Sequence, residues 1–146
     1  MKYYNKVLIN LSREITIERW FDESHFNQWQ ANYLRTELIS GKRNEENAKS
    51  ILFYQQGSNE MILEETIVSN NLPESIEGFY EHLQMDNTQK IVFKEVSKNT
   101  EITAYVEYTR FKGSIKNQIN ETMEIFFKDQ SQKRLDSFKE YAENSQ

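Results

Sequence analysis

The stretch from Ser114 to Asn144 reads as one long amphipathic helix, and it follows directly on a run of short alternating segments. That order is the strongest constraint on the fold. A meander of strands with one long terminal helix makes a curved sheet that grips the helix, since each element must bury its apolar side against the other. A concave space is left between the two, a natural place for an apolar or amphipathic molecule.

The strand signals are regular. Lys2 to Leu11 places Val7, Ile9 and Leu11 on one side and Lys6 and Asn10 on the other, as a half-buried strand does. Ser12 stands at a helix N-cap with Glu14 in the first turn, and Ile15, Ile17, Trp20 and Phe21 give that short helix its apolar bulk. Asp22-Glu23-Ser24 breaks it, and a second short helix carries His25, Phe26 and Trp29. From Tyr33 onward the chain is punctuated by turn chemistry. Gly41 to Asn47, Gly57-Ser58-Asn59, Ser69 to Glu74, Met85 to Thr88 and Ser97 to Asn99 are the expected connections. Six strands follow the helix pair, seven in all, in one domain spanning residues 1–146.

The period of two assigns faces. Met61, Leu63, Glu65 and Ile67 share the better core face of their strand. By the same count Leu52 and Tyr54, then Ile76, Gly78, Tyr80 and His82, then Ile91 and Phe93, then Ile102, Ala104, Val106 and Tyr108 point toward the helix. Ile51, Phe53, Ile62 and Val68 fall on the outward face, which points either to a homodimer or to a slipped register. Along the terminal helix, Ile115, Ile119, Met123, Phe126 and Phe127 form one stripe, while Leu135, Phe138 and Ala142 lie about a quarter-turn away. The drift predicts a bend, or a change of contact surface, between Lys128 and Lys133, with Gln130 facing the interior.

Composition removes several classes of function. Cysteine is absent, which excludes disulfides, thiolate nucleophiles and sulfur-based zinc sites, and fits a cytoplasmic setting. The N-terminus has no continuous apolar run of a secretory signal, and no segment has the length of a membrane span. A net charge of -5 with interspersed signs offers no basic stripe for nucleic acid. The four glycines form neither a phosphate-binding loop nor a dinucleotide fingerprint, and no serine elbow is present.

Read in order, a set of short segments resembles a known superfamily. They are Leu11-Ser12-Arg13-Glu14, Trp29-Gln30, Ile39-Ser40-Gly41, Ala48-Lys49-Ser50, Tyr54 leading to Gly57, and Glu60-Met61. Glu65-Thr66-Ile67, Asn71-Leu72-Pro73-Glu74, Tyr80-Glu81 and the helix segment from Phe127 to Lys133, with Leu135 and Phe138 to Glu143, complete the series. Their succession is similar to the START, birch-pollen-allergen and polyketide-cyclase group, SRPBCC, in its small bacterial branch. The resemblance implies an α+β helix-grip fold: two short helices after the first strand, and a seven-stranded curved antiparallel sheet round a long C-terminal helix. It also implies lipid or hormone carriers, aromatases and cyclases, or a chaperone-activating domain as relatives. Ala31 stands where relatives often have proline, and Ser114 to Glu121 is a polar run where they tend to be apolar.

Glu65 is the foremost candidate, because a carboxylate between Leu63 and Ile67 on an inward face needs a partner or a shifted pKa. It is either a ligand anchor or general acid/base, or else a structural acid paired with a tyrosine or an arginine. His82 shares the inward face with Tyr80 and is a weaker acid/base candidate. With His25 it makes only two isolated histidines, so no metal site and no cofactor is expected. Tyr54, Met61, Leu63, Glu65, Tyr80, His82, Phe93, Tyr108, Met123 and Phe126 are the expected cavity residues, their rings either lining the space or filling it. Three functions follow. The first is binding or transport of a small hydrophobic or amphipathic molecule by a monomer or homodimer. The second is a cyclase- or aromatase-like enzyme using the same polar residues, and the third is a protein-interaction module acting through the outer sheet or the Lys42 to Glu46 loop.

Overall fold

The structure, a computed structural model, describes residues 1–145. Strand β1 (Lys2–Ile9) leads through Ser12 into helix α1 (Arg13–Trp20) and a 3-10 turn, Glu23–Gln28. Strands β2 (Tyr33–Ser40), β3 (Lys49–Gln56), β4 (Asn59–Asn71), β5 (Ser75–Glu81), β6 (Met85–Val96) and β7 (Asn99–Phe111) follow. A second 3-10 turn, Gly113–Asn117, precedes helix α2 (Glu121–Asn144). The strands form one seven-stranded sheet in the order β1-β7-β6-β5-β4-β3-β2. Every neighbouring pair is antiparallel. Strands β1 and β2 thus occupy opposite edges, and α1 with its 3-10 turn carries the chain across from one to the other.

Local chemistry sets the boundaries. The Ser12 side chain accepts a hydrogen bond from the Ile15 amide at 3.3 Å, and Thr16 donates its hydroxyl to the Ser12 carbonyl at 2.8 Å. Asp22 caps the 3-10 turn through Ser24. The expected single helix from Ser114 to Asn144 is corrected: α2 starts at Glu121, where the Asn120 side chain accepts the Met123 amide at 2.9 Å. Asparagine competes with helix continuation by satisfying exactly these free amides itself, so the upstream turn stays separate. The expected connection at Met85 to Thr88 is corrected too. Those residues belong to β6, Met85 facing Phe111 and Asp86 facing Arg110, and the turn lies at residues 82–84. Pairing with a long neighbour strand overrides the turn preference of the Asp86-Asn87 pair.

The inward faces are as the alternation predicts. Leu52, Glu65, Ile67, Ile76, Phe93, Ile102, Ala104 and Val106 are all buried. No slip explains the apolar outward residues: the Arg35 guanidinium lies 3.9 Å from the Phe53 ring centre and caps it, while Ile62 and Val68 stay exposed. Inside, Trp20, Trp29 and Phe138 form a triangle with ring centres 4.8 to 4.9 Å apart. The two contacts to Phe138 are edge-on, a favourable aromatic geometry. Leu135, Phe138 and Ala142 bury α2 against this cluster.

Candidate functional site

Three polar side chains face the interior in one row across the sheet. Ser50 on β3 pairs with Glu65 on β4, which pairs with Tyr80 on β5. Glu65 is 6% exposed, and both of its oxygens are occupied. Arg43 Nη1 donates to Oε1 at 2.8 Å and the Tyr80 hydroxyl donates to Oε2 at 2.8 Å. Arg43 comes from the β2–β3 loop, and its Nε also donates to Glu23 at 3.1 Å, so one guanidinium ties loop, 3-10 turn and sheet together. Its pKa is raised: burial opposes the charge, and the Glu65 and Glu23 carboxylates more than offset it. Burial first, then the Glu65 carboxylate, pushes the Tyr80 hydroxyl well above its usual range and keeps it a donor. Of the two readings of Glu65, the geometry is that of a structural acid paired with both a tyrosine and an arginine.

Gly78 allows this row to close. Tyr80 folds back over it, and a Cβ at residue 78 would lie 2.8 Å from the tyrosine hydroxyl and 2.9 Å from its Cε2. On β3 the Tyr54 hydroxyl donates to Gln30 at 2.7 Å, and burial is the main cause of its raised pKa.

Between these groups and α2 lies a cavity of about 90 Å³. Leu52, Leu63, Ile67, Ile76 and Ile91 give it an apolar floor, with Trp20, Phe21 and Phe26 on the opposite wall. Tyr54, Glu65, Tyr80, Gln30, Gln89, Arg43 and Arg134 bring polar atoms to it. The volume is about three water molecules' share of liquid and well below the roughly 300–1,000 Å³ of a drug-sized site.

The other expected cavity residues are elsewhere. Phe93 is 1% exposed and belongs to the packed core. Tyr108 stacks between Phe111 and Phe127, with centres 5.7 and 5.3 Å away. Met123 is half-buried near the start of α2. Phe126 is corrected outright, being 57% exposed. Gln130 is also in solvent, on one continuous helix, so the expected interior glutamine is not found. Met61 and His82 line a separate open groove with Glu60, Glu64 and Glu81. His82 accepts the Gln84 amide on Nδ1, and burial, followed by nearby Lys112, lowers its pKa. Glu65 and His82 therefore do not share a site.

Arg134 was missed from the sequence, although it sits four residues before Phe138 and seven after Phe127, the spacing of one helix face. Its guanidinium carbon is 5.6 and 5.5 Å from the ring centres of Trp20 and Trp29. Among the described residues no group of histidine, cysteine, aspartate and glutamate is arranged to hold a metal, and no helix is long and apolar enough to cross a membrane.

No protein-family model and no curated protein matches the sequence. Solved structures do. The protein designated Ara h 8.0201 superposes with a TM-score of 0.80 at 8% identity, over 99% of both chains. Zhui aromatase/cyclase from Streptomyces sp. R1128 gives 0.77 at 10% identity, over 98% of this chain and 93% of that one. Ginseng major latex-like protein 151 from Panax ginseng gives 0.73 at 15% identity, over 97% of each. At these identities the likeness is one of fold, and it runs the length of the chain: a seven-stranded curved antiparallel sheet round a long C-terminal helix, the helix-grip fold expected from the sequence.

Proposed function

We propose that this protein binds a small amphipathic molecule in the cavity between sheet and α2. The observation that carries the reading is the cavity's two-sided wall: an apolar floor of Leu52, Leu63, Ile76 and Ile91 faces a cluster of polar groups that includes Gln30, Gln89 and Arg134. Ligand sites combine apolar burial with a few placed polar groups in this way. The volume favours a molecule far smaller than a lipid, and the absence of cysteine fits a cytoplasmic setting. An acid/base enzyme would need Glu65 available, and its oxygens are already taken by Arg43 and Tyr80.

Titration calorimetry with n-butanol and butyramide tests the reading, alongside Leu63→Phe, which places a ring in the cavity. Saturable binding to the natural protein, lost in a variant that still unfolds cooperatively, is the expected result. Equal heats for both proteins would place any binding outside the cavity.

A further inference from the structure

Arg43 and Arg134 both reach the cavity, but only Arg43 is matched by acids. Among the described residues no carboxylate lies within ion-pair distance of Arg134. Of the five N–H donors of a guanidinium, one makes a long hydrogen bond, Nη1 to the Gln89 oxygen at 3.4 Å. Its Nε is buried without any partner, and the Trp29 indole nitrogen, on a ring 5.5 Å from the guanidinium, is likewise buried and unpartnered. Both orphaned groups are donors. What Arg134 lacks is an acceptor for its Nε and a counter-charge, and the Trp29 nitrogen beside it, outside the cavity lining, lacks an acceptor as well.

We infer that Arg134 is an anion-recognition residue and that the cavity's ligand is a short-chain monocarboxylate. The inference rests on the ligand-binding reading above and narrows it to a chemical class. Charge decides the head group: Arg43 is paired with Glu65 on the wall and with Glu23 outside the lining, and Arg134 is the one cation of the lining without a carboxylate partner, to be matched by the ligand's carboxylate. The fork of a guanidinium donates to the two oxygens of a carboxylate side by side. The faces of Trp20 and Trp29 hold the fork from one side and limit its rotamers. Size decides the tail, since a cavity of about 90 Å³ is matched to a chain of only a few carbons.

The two tryptophans of the chain both flank Arg134, so selectively excited tryptophan fluorescence responds to binding beside it. The test titrates the full-length protein with butyrate, with butyramide and with inorganic phosphate, by fluorescence and calorimetry. Butyrate is expected to bind at least tenfold more tightly than butyramide. Arg134→Gln should bring butyrate down to about the amide's affinity, and Arg134→Lys should keep part of the preference. Equal affinity for acid and amide in the natural protein would overturn the carboxylate inference and leave the ligand-binding reading standing. Binding of neither would remove both. Phosphate displacing butyrate as effectively as butyrate itself would show a site for free oxyanions and overturn the monocarboxylate class. The comparison in the natural protein decides the matter even if a variant fails to fold.

Discussion

The two halves of α2 are built from similar residues and do opposite things. In the C-terminal half, Leu135, Phe138 and Ala142 are all buried, and Lys139 donates to the Leu8 carbonyl at 2.6 Å. Glu143 accepts the Asn10 amide at 2.8 Å, and Arg19 of α1 donates to the Ala142 carbonyl. In the N-terminal half nothing is fully buried: Ile125 and Phe126 are exposed, and the holds are the stack of Phe127 on Tyr108 and Gln132, which accepts from Asn5 at 3.0 Å and donates to the Lys6 carbonyl at 3.1 Å. An apolar stripe on a helix therefore marks the capacity to pack, not the partner. The end facing Trp20 and Trp29 meets buried rings, whereas Phe127 meets Tyr108, which is only half-buried.

The largest effect that would break this contrast is a reversed pair of alanine substitutions. Phe138→Ala should destabilise by about 3–5 kcal/mol in denaturant unfolding, whereas Phe126→Ala should stay within about 0.5 kcal/mol. Comparable losses would mean that the two halves are equally engaged. At the anchored end, Gly78→Ala should cost about 1–3 kcal/mol, because its methyl group displaces Tyr80 from Glu65. A crystal structure of that variant with the Tyr80 to Glu65 bond intact would contradict the account.

Glu65→Gln should cost about 2 kcal/mol, less than a wholly buried ion pair, because Arg43 keeps Glu23 and is partly exposed. Urea unfolding of this variant and of the double variant with Arg43→Gln measures the coupling. Hydrogen exchange sharpens the comparison without mutation: amides at 124–130 should exchange faster than those at 135–142, since local opening follows buried contact. Uniform protection along α2 would refute the contrast.

The smallest effect is a pair of pH windows, one at each end. His82 has a folded pKa below its usual 6.5, so the unfolded state binds more protons below that value. Its contribution is present above pH 6.5 and lost as pH falls through the lower folded value. His82→Gln should flatten that part of the stability profile. Glu143 is also lowered: burial opposes the charge, but Lys139 and the Asn10 amide outweigh it. Its contribution is present above the ordinary carboxylate value of 4.5 and lost further into acid. Glu143→Gln should remove only this second window.

Much of the sheet was legible because alternation survives wherever the ladder is unbroken. Glu65 was read as inward correctly, since the irregularity in β4 comes later, between Ile67 and Ser69. His82 was carried inward by the same count, but β5 ends at Glu81, and past a strand's end the period of two has no meaning. Arg134 was overlooked because a charge within an apolar stripe was passed over in favour of Leu135 and Phe138 on either side of the drift. The same spacing that made the drift visible also places Arg134 on the Phe138 face.

The sequence by itself determined the order of the strands, the inward face of every strand but β2 and the helix-grip architecture, because these follow from local periodicity, capping and turn chemistry. Tertiary structure alone decided that the cavity is about 90 Å³, that Glu65 is claimed by a loop arginine and a tyrosine two strands from β3, and that Arg134 is left without a counter-charge. The reason is physical. Volume and charge balance in an interior are sums over side chains brought together from distant segments, and no window along the chain contains the terms of that sum.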